Sequence, residues 1–223
     1  MTLSREPETV AHYRRLRAAS RVLSSKVQVA TRSLDFDPIK AAKKMTIPVK
    51  GRTLIFDGEM ETAALMDFYL HEFQKGGRCP LQCCDPVAMR LSADERDLLE
   101  AHMAARTSLF KVVAVEPGIA QLQLSDVLSP GQPDVMLSDI AMSQMGAATS
   151  EVLLFLRVVA CQGIRMSSGC FFAFSTLHRQ RLLDAYARRM ETVPPGEQSQ
   201  RRFIFFFQRH REFGEEQAFA TPG

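Results

Sequence analysis

Between Leu109 and Phe174 the chain reads as five short apolar segments joined by short connections. They are Leu109–Val115, Ala120–Val127, Val135–Ala141, Val152–Cys161 and Ile164–Phe174. Turn residues separate them at Glu116-Pro117-Gly118, Ser129-Pro130-Gly131-Gln132-Pro133 and Gln162-Gly163, and a looser stretch spans Ser143 to Ser150. A parallel crossover needs a dozen or more residues, usually a helix, so an antiparallel arrangement is expected. Such short strands form a strongly bent sheet or a small barrel. Ser167-Ser168-Gly169 inside the last strand allows a bulge. Val152–Cys161 has the character of the most buried strand, yet it carries Arg157.

Helical spacing flanks this region on both sides. Val10, Tyr13, Leu16, Ala19 or Ser20, Leu23, Val27, Ala30 and Leu34 make one narrow stripe on a helix over residues 6–33. A stripe of this kind packs along a partner helix of the same chain or of a second copy. Asp37 is placed to cap a short helix from Pro38 to about Met45. Ile47–Phe56 reads as a hairpin, or as one strand interrupted at Gly51. A helix from Glu59 to about Gln74 stops at Gly76-Gly77. Ser92-Ala-Asp-Glu95 has the capping-box pattern and opens a helix to about Arg106. Leu177–Glu191 is amphipathic, with Leu182, Leu183, Tyr186 and Met190 inward. The run Phe203-Ile204-Phe205-Phe206-Phe207 is apolar enough for a strand, but the polar residues around it favour a helix.

The expected fold class is therefore α+β: N-terminal helices, a central five-stranded antiparallel sheet or small β-barrel, and C-terminal helices. Residues 1–90 form a helical region with a short hairpin, and residues 91–223 a β-rich domain flanked by helices.

Charge is unevenly placed. The net +3 resolves into +8 on residues 1–52, −7 on residues 53–175 and +2 on residues 176–223. Arg14, Arg15, Arg17, Arg21 and Lys26 lie mostly off the first helix's apolar stripe and are the candidate contacts for nucleic acid or a partner. A solvated basic face, or docking of this helix on the acidic middle, accounts for the same charges. The pairs Arg14-Arg15, Arg188-Arg189 and Arg201-Arg202, with Arg209 and Arg211, are a further candidate phosphate-facing surface.

Catalytic patterns are sparse. Cys79, Cys83 and Cys84 follow His71, but a Cys-x3-Cys-Cys spacing without a second pair is a poor zinc signature. Cys161 and Cys170 read as small core residues. Ser168-Gly169-Cys170 lies between strand segments, where no helix follows to form an oxyanion hole. There is no phosphate-binding glycine motif. Leu124-Ser125-Asp126-Val127 echoes Leu137-Ser138-Asp139-Ile140, and such Ser-Asp pairs more often bond nearby backbone at strand ends than bind a cation. The N-terminal run lacks the apolar stretch of a signal peptide, and no segment reaches the roughly 20 apolar residues of a membrane helix. A cytoplasmic chain with reduced thiols follows as the expectation.

Glu95-Arg96-Asp97-Leu98-Leu99-Glu100, Ser108–Val113, Leu122–Leu128 and Leu153–Val159 resemble uncharacterised bacterial proteins with a helical N-terminus and a small β-rich domain. The resemblance covers Ser92–Tyr186, implies a fold and supplies no activity. Together these features point to an interaction or scaffold protein without catalytic activity or cofactor, whose partner is a protein or a second copy and not a membrane. The alternative is nucleic-acid binding through the basic N-terminal helix. A second alternative is an enzyme with a site between sheet and helices, near Arg157, Asp126 and Asp139.

Overall fold

The structure, a computed structural model, describes residues 7–34, 36–144 and 151–215. The apolar stripe at the start forms helix α1 (Glu8–Thr31), which buries Val10, Tyr13, Leu16, Ser20, Leu23, Val27 and Thr31. Helix α2 (Pro38–Lys44) is capped by Asp37, whose carboxylate accepts the Ile39 N–H. A hairpin follows, from β1 (Val49–Lys50) to β2 (Thr53–Leu54), and then α3 (Glu59–His71). Helix α4 (Ala93–Ala104) begins with the full capping box: Ser92 Oγ accepts the Glu95 N–H, and Glu95 accepts the Ser92 N–H.

The sheet contains β3 (Arg106–Glu116), β4 (Gln121–Asp126), β5 (Val135–Ser138), β6 (Val152–Cys161) and β7 (Ile164–Ser175). Its order is β5-β4-β3-β6-β7, with every neighbour antiparallel. Strand alternation sorts the side chains onto two faces. Phe110, Val112, Leu122, Leu124, Leu154 and Leu156 gather on one. Leu109, Leu153, Phe155, Phe172 and Phe174 lie on the other, against the helices. Both faces of β6 are covered, which is why its sequence is apolar throughout.

The sheet curls until its two edges approach, and Ser167 Oγ on β7 donates to Asp139 Oδ2 beyond the end of β5 at 3.1 Å. It does not close into a barrel. The strand expected over Val135–Ala141 ends at Ser138, because Asp139 caps a short helix, α5 (Ile140–Ser143), by accepting the Met142 N–H at 3.1 Å. The chain turns away where a closing ladder would have to continue. On β7 the expected bulge is present: Arg157 of β6 faces three residues, Ser168, Gly169 and Cys170, because Leu156 pairs with Phe171 and Val158 with Ser167. Gly169 takes φ +105°, and a Cβ there would sit 3.4 Å from the Arg17 guanidinium that crosses above it.

Helix α6 (Arg179–Met190) buries only Leu182 fully, while Leu183, Tyr186 and Met190 are half-buried. The phenylalanine run lies in helix α7 (Gln198–Phe213) and buries Phe203, Phe205, Phe206 and Phe207. It seals the core: the Phe206 ring stacks on Phe155 at 4.3 Å, and Phe203 packs against Phe68 and Phe172. One apolar cluster includes Leu16, Leu23 and Phe68 as well as Leu98, Phe155 and Phe206, so it runs through both the first ninety residues and the rest. The stripe of α1 is consumed inside this chain, with Leu16 and Leu23 essentially inaccessible. Among the described residues no helix is long and apolar enough to cross a membrane. Most of the loose stretch Ser143–Ser150, and the tail beyond Glu215, lie outside the described residues.

Candidate anion-binding cleft

Two of the basic residues of α1, Arg15 and Lys26, are turned to the chain's own acidic middle, because α1 packs along α4. Arg15 Nε pairs with Asp94 at 3.3 Å and its Nη2 donates to Gln162 Oε1 at 2.9 Å. Lys26 Nζ pairs with Glu95 at 2.7 Å, and this bond holds the Glu95 carboxyl below its ordinary pKa. Arg17 donates to the Ser167 carbonyl at 2.9 Å beside the β7 bulge. Arg14 and Arg21 are exposed. The five residues therefore do not converge on one site.

Beneath the sheet, where an enzyme site was an open alternative, lies a filled polar network. Arg157 reaches from β6 to α3 and donates from Nη2 to Asp67 at 3.1 Å and to Glu72 at 2.6 Å, with Nε also bonded to Asp67. Ser199 Oγ adds a bond to Glu72, and Gln200 Nε2 bonds the Glu72 carbonyl. Burial works to lower the Arg157 pKa, but Asp67 and Glu72 outweigh it and the net shift is upward. A second chain runs from His71 Nε2 to His102 Nδ1 at 3.3 Å, and from His102 Nε2 to Ser20 Oγ at 3.2 Å. Burial, reinforced by the Arg157 charge, holds His71 well below the usual histidine range. His71 lies 3.8 Å from Asp67, but Arg157 already engages that carboxylate. Burial likewise lowers His102 to about 4, despite the opposing pull of Asp67. Cys170, also buried here, is pushed well above its ordinary pKa by desolvation and holds its proton.

These two histidines give a signed pH prediction. Both folded pKa values lie below the unfolded value near 6.5, so the unfolded chain takes up protons first on acidification. Stability is full above about pH 6.5. It should then fall by roughly 1.4 kcal/mol per pH unit for each histidine, and for His102 the decline continues to about pH 4. Urea midpoints at pH 7.5, 6 and 5 check this, and replacing both histidines with glutamine should flatten the slope.

Other sequence candidates take local roles. Asp126 Oδ1 accepts from Ser108 Oγ, Leu128 N and Ser129 N, so its Ser-Asp pair stabilises a strand end, as the Asp139 cap does. Burial raises the thiol pKa of Cys79, and that of Cys84 to about 11. Among the described residues no group of three or more His, Cys, Asp or Glu is arranged to hold a metal ion.

A cleft of about 320 Å³ opens at one end of the curled sheet. Strand register builds it. Val158 and Ala160, two apart on β6, share a face, and their cross-strand partners are Arg106 on β3 and Arg165 on β7. The two arginines thus flank an apolar floor that includes Phe110 and Val135. Helix α7 brings Arg202 to the rim, where Nε donates to Tyr186 Oη at 3.0 Å and Nη1 to the Thr107 carbonyl at 2.8 Å. Neither the Arg106 nor the Arg165 side chain hydrogen-bonds or ion-pairs with another described residue. Thr107 meets the cleft through its carbonyl, while its side chain, opposite Arg157 in register, points to the helix-covered face, where its buried hydroxyl has no hydrogen-bond partner. The one carboxylate in the lining, Asp126, is already engaged by Ser108 and two backbone amides.

Arginine stays charged at any physiological pH and offers a planar fork of donors. Three such groups around one carboxylate make a cleft suited to a phosphate or carboxylate group. Arg202 belongs to an arginine pair visible in the sequence. Arg106 and Arg165 stand alone in theirs, and only strand register unites them.

No curated protein and no solved structure matches this chain. A protein-family model described as a family of unknown function (DUF7986) matches residues 7–220, well beyond the Ser92–Tyr186 stretch, and the chain belongs to that family.

Proposed function

We propose that this is a cytoplasmic interaction protein of bacterial type, without catalytic activity, that receives an anionic group of its partner in the arginine cleft. The observation that carries the reading is the convergence of Arg106, Arg165 and Arg202 on one cleft, with the side chains of Arg106 and Arg165 unpaired among the described residues. A binding role is favoured over a catalytic one because the cleft's polar groups are guanidiniums, hydroxyls and amides plus one engaged carboxylate. His71, His102 and Cys170 do not line it. The free state of all five cysteines supports a reducing compartment.

Inorganic phosphate is the simplest probe. At low ionic strength it should raise the melting temperature of the full chain, since a ligand that binds only the folded state stabilises it by mass action. Arg106→Glu with Arg165→Glu should remove that rise. Arg14→Glu with Arg21→Glu on α1 should leave it intact. The opposite pattern, with loss in the α1 variant alone, contradicts the reading.

A further inference from the structure

A second arginine cluster lies beyond Arg202. Arg188 and Arg189 of α6 and Gln208 and Arg209 of α7 line an open groove of about 530 Å³ floored by Phe205 and Ala185. The Arg209 guanidinium sits 5.7 Å from the Phe205 ring centre, pairs with Glu212 at 2.7 Å, and has a buried Nε with no partner. Arg202, Phe205 and Arg209 are spaced three and four apart and so share one face of α7. Two turns separate the arginines, about 10 Å along the helix axis. The bond from Arg202 to Tyr186 Oη ties the sheet-end cleft to α6. Arg165, Arg106 and Arg202 of the cleft and Arg188, Arg189 and Arg209 of the groove thus form a strip of arginines linked through α7.

We infer that this strip is the docking surface for the phosphate backbone of a double-stranded nucleic acid, with the cleft taking one phosphate at its end. The inference rests on the anionic reading of the cleft and names the partner. Every cation in both linings is an arginine, the side chain whose fork matches phosphate oxygens. A duplex strand presents a phosphate about every 3.4 Å of axis, so 10 Å corresponds to about three of them. Single strands are bound with the help of exposed aromatic rings. Here Phe205 is buried and the Tyr186 hydroxyl is taken by Arg202, so contacts fall on the backbone and read no sequence. The nearby carboxylates are few and largely engaged: Glu212 by Arg209, Glu197 by Arg201, Asp184 by Gln180, with Glu191 exposed at the end of α6.

The test is binding of labelled DNA and RNA duplexes to the full chain over a range of salt. Four to five phosphate contacts predict a log–log salt slope of roughly −4. Arg188→Glu with Arg189→Glu should weaken duplex binding and flatten the slope by about 2, about 1 for each arginine, while inorganic phosphate still binds the cleft. Arg106→Glu with Arg165→Glu should weaken both. These four side chains are exposed, and unchanged melting curves without ligand confirm folding. The two duplex arms establish whether DNA, RNA or both are accepted. The inference is overturned if neither duplex binds, if the α6 variant binds them as well as the wild type, or if a polyglutamate peptide displaces them at equal charge. When phosphate still binds the cleft in those cases, the proposal for the cleft stands and only the partner is wrong. Failure of phosphate to bind removes the cleft proposal itself.

Discussion

Arg157→Leu is expected to cost about 3–5 kcal/mol of folding stability. The substitution suits the apolar strand in which it sits, so sequence context alone would make it mild. The structure reverses that expectation. Asp67 and Glu72 are buried at 6% and 3% exposure, and Arg157 is the cation bonded to both. Removing it strands two carboxylates in a poorly polarisable interior, where an unpaired charge costs far more than the pair contributes. Arg157→Lys should fall between, since lysine keeps the charge and loses the fork that spans both acids. Combining Arg157→Leu with Asp67→Asn and Glu72→Gln should recover most of the loss. Urea unfolding measures all three. A change under about 0.5 kcal/mol for Arg157→Leu, the size usual at exposed sites, contradicts the account.

Phe206→Ala is the second large effect, at about 3–5 kcal/mol. The side chain is inaccessible and its ring stacks on Phe155 at 4.3 Å, with Tyr186 tilted against it at 5.3 Å and Phe205 edge-on at 5.1 Å. Truncation leaves a cavity where α7 meets β6, and the flanking rings on a helix and a strand cannot close it. Leu177→Ala is the control: at 91% exposure it should change stability within about 0.5 kcal/mol. Had the phenylalanine run been an exposed contact surface, the two variants would behave alike. A domain is stable by only about 5–15 kcal/mol, so either large substitution takes a substantial share.

What the sequence discloses is set by the range of the interaction that fixes each feature. The capping box at Ser92, the Asp37 cap and the five strands depend on neighbours within a few residues, and they can be read directly. The β7 bulge is also local, since glycine tolerates the φ it requires. The end of β5 was legible only in part: Leu137-Ser138-Asp139 looks like alternation, and the cap that Asp139 makes decides against it. Asp67 is hidden differently. It sits between Met66 and Phe68 on a helix that is buried on nearly every side, so its polarity suggests an outer face that α3 lacks. Its partner Arg157 is ninety residues away. The lone arginine in an apolar strand was the available signal, and it marked a buried ion pair. The cleft is least visible, because Arg106 and Arg165 belong to strands that meet only through β6. In the conspicuous basic run on α1, Arg15 and Lys26 are instead drawn off by Asp94 and Glu95 of α4.

The most direct measurement is a titration of the isotope-labelled chain with inorganic phosphate, followed by backbone amide chemical shifts. The account predicts saturable shifts concentrated at Thr107, Ser108, Ser129 and Arg165, around the end of the curled sheet. Shifts confined to the α1 residues between Arg14 and Lys26, or no saturable shift at all, would contradict it.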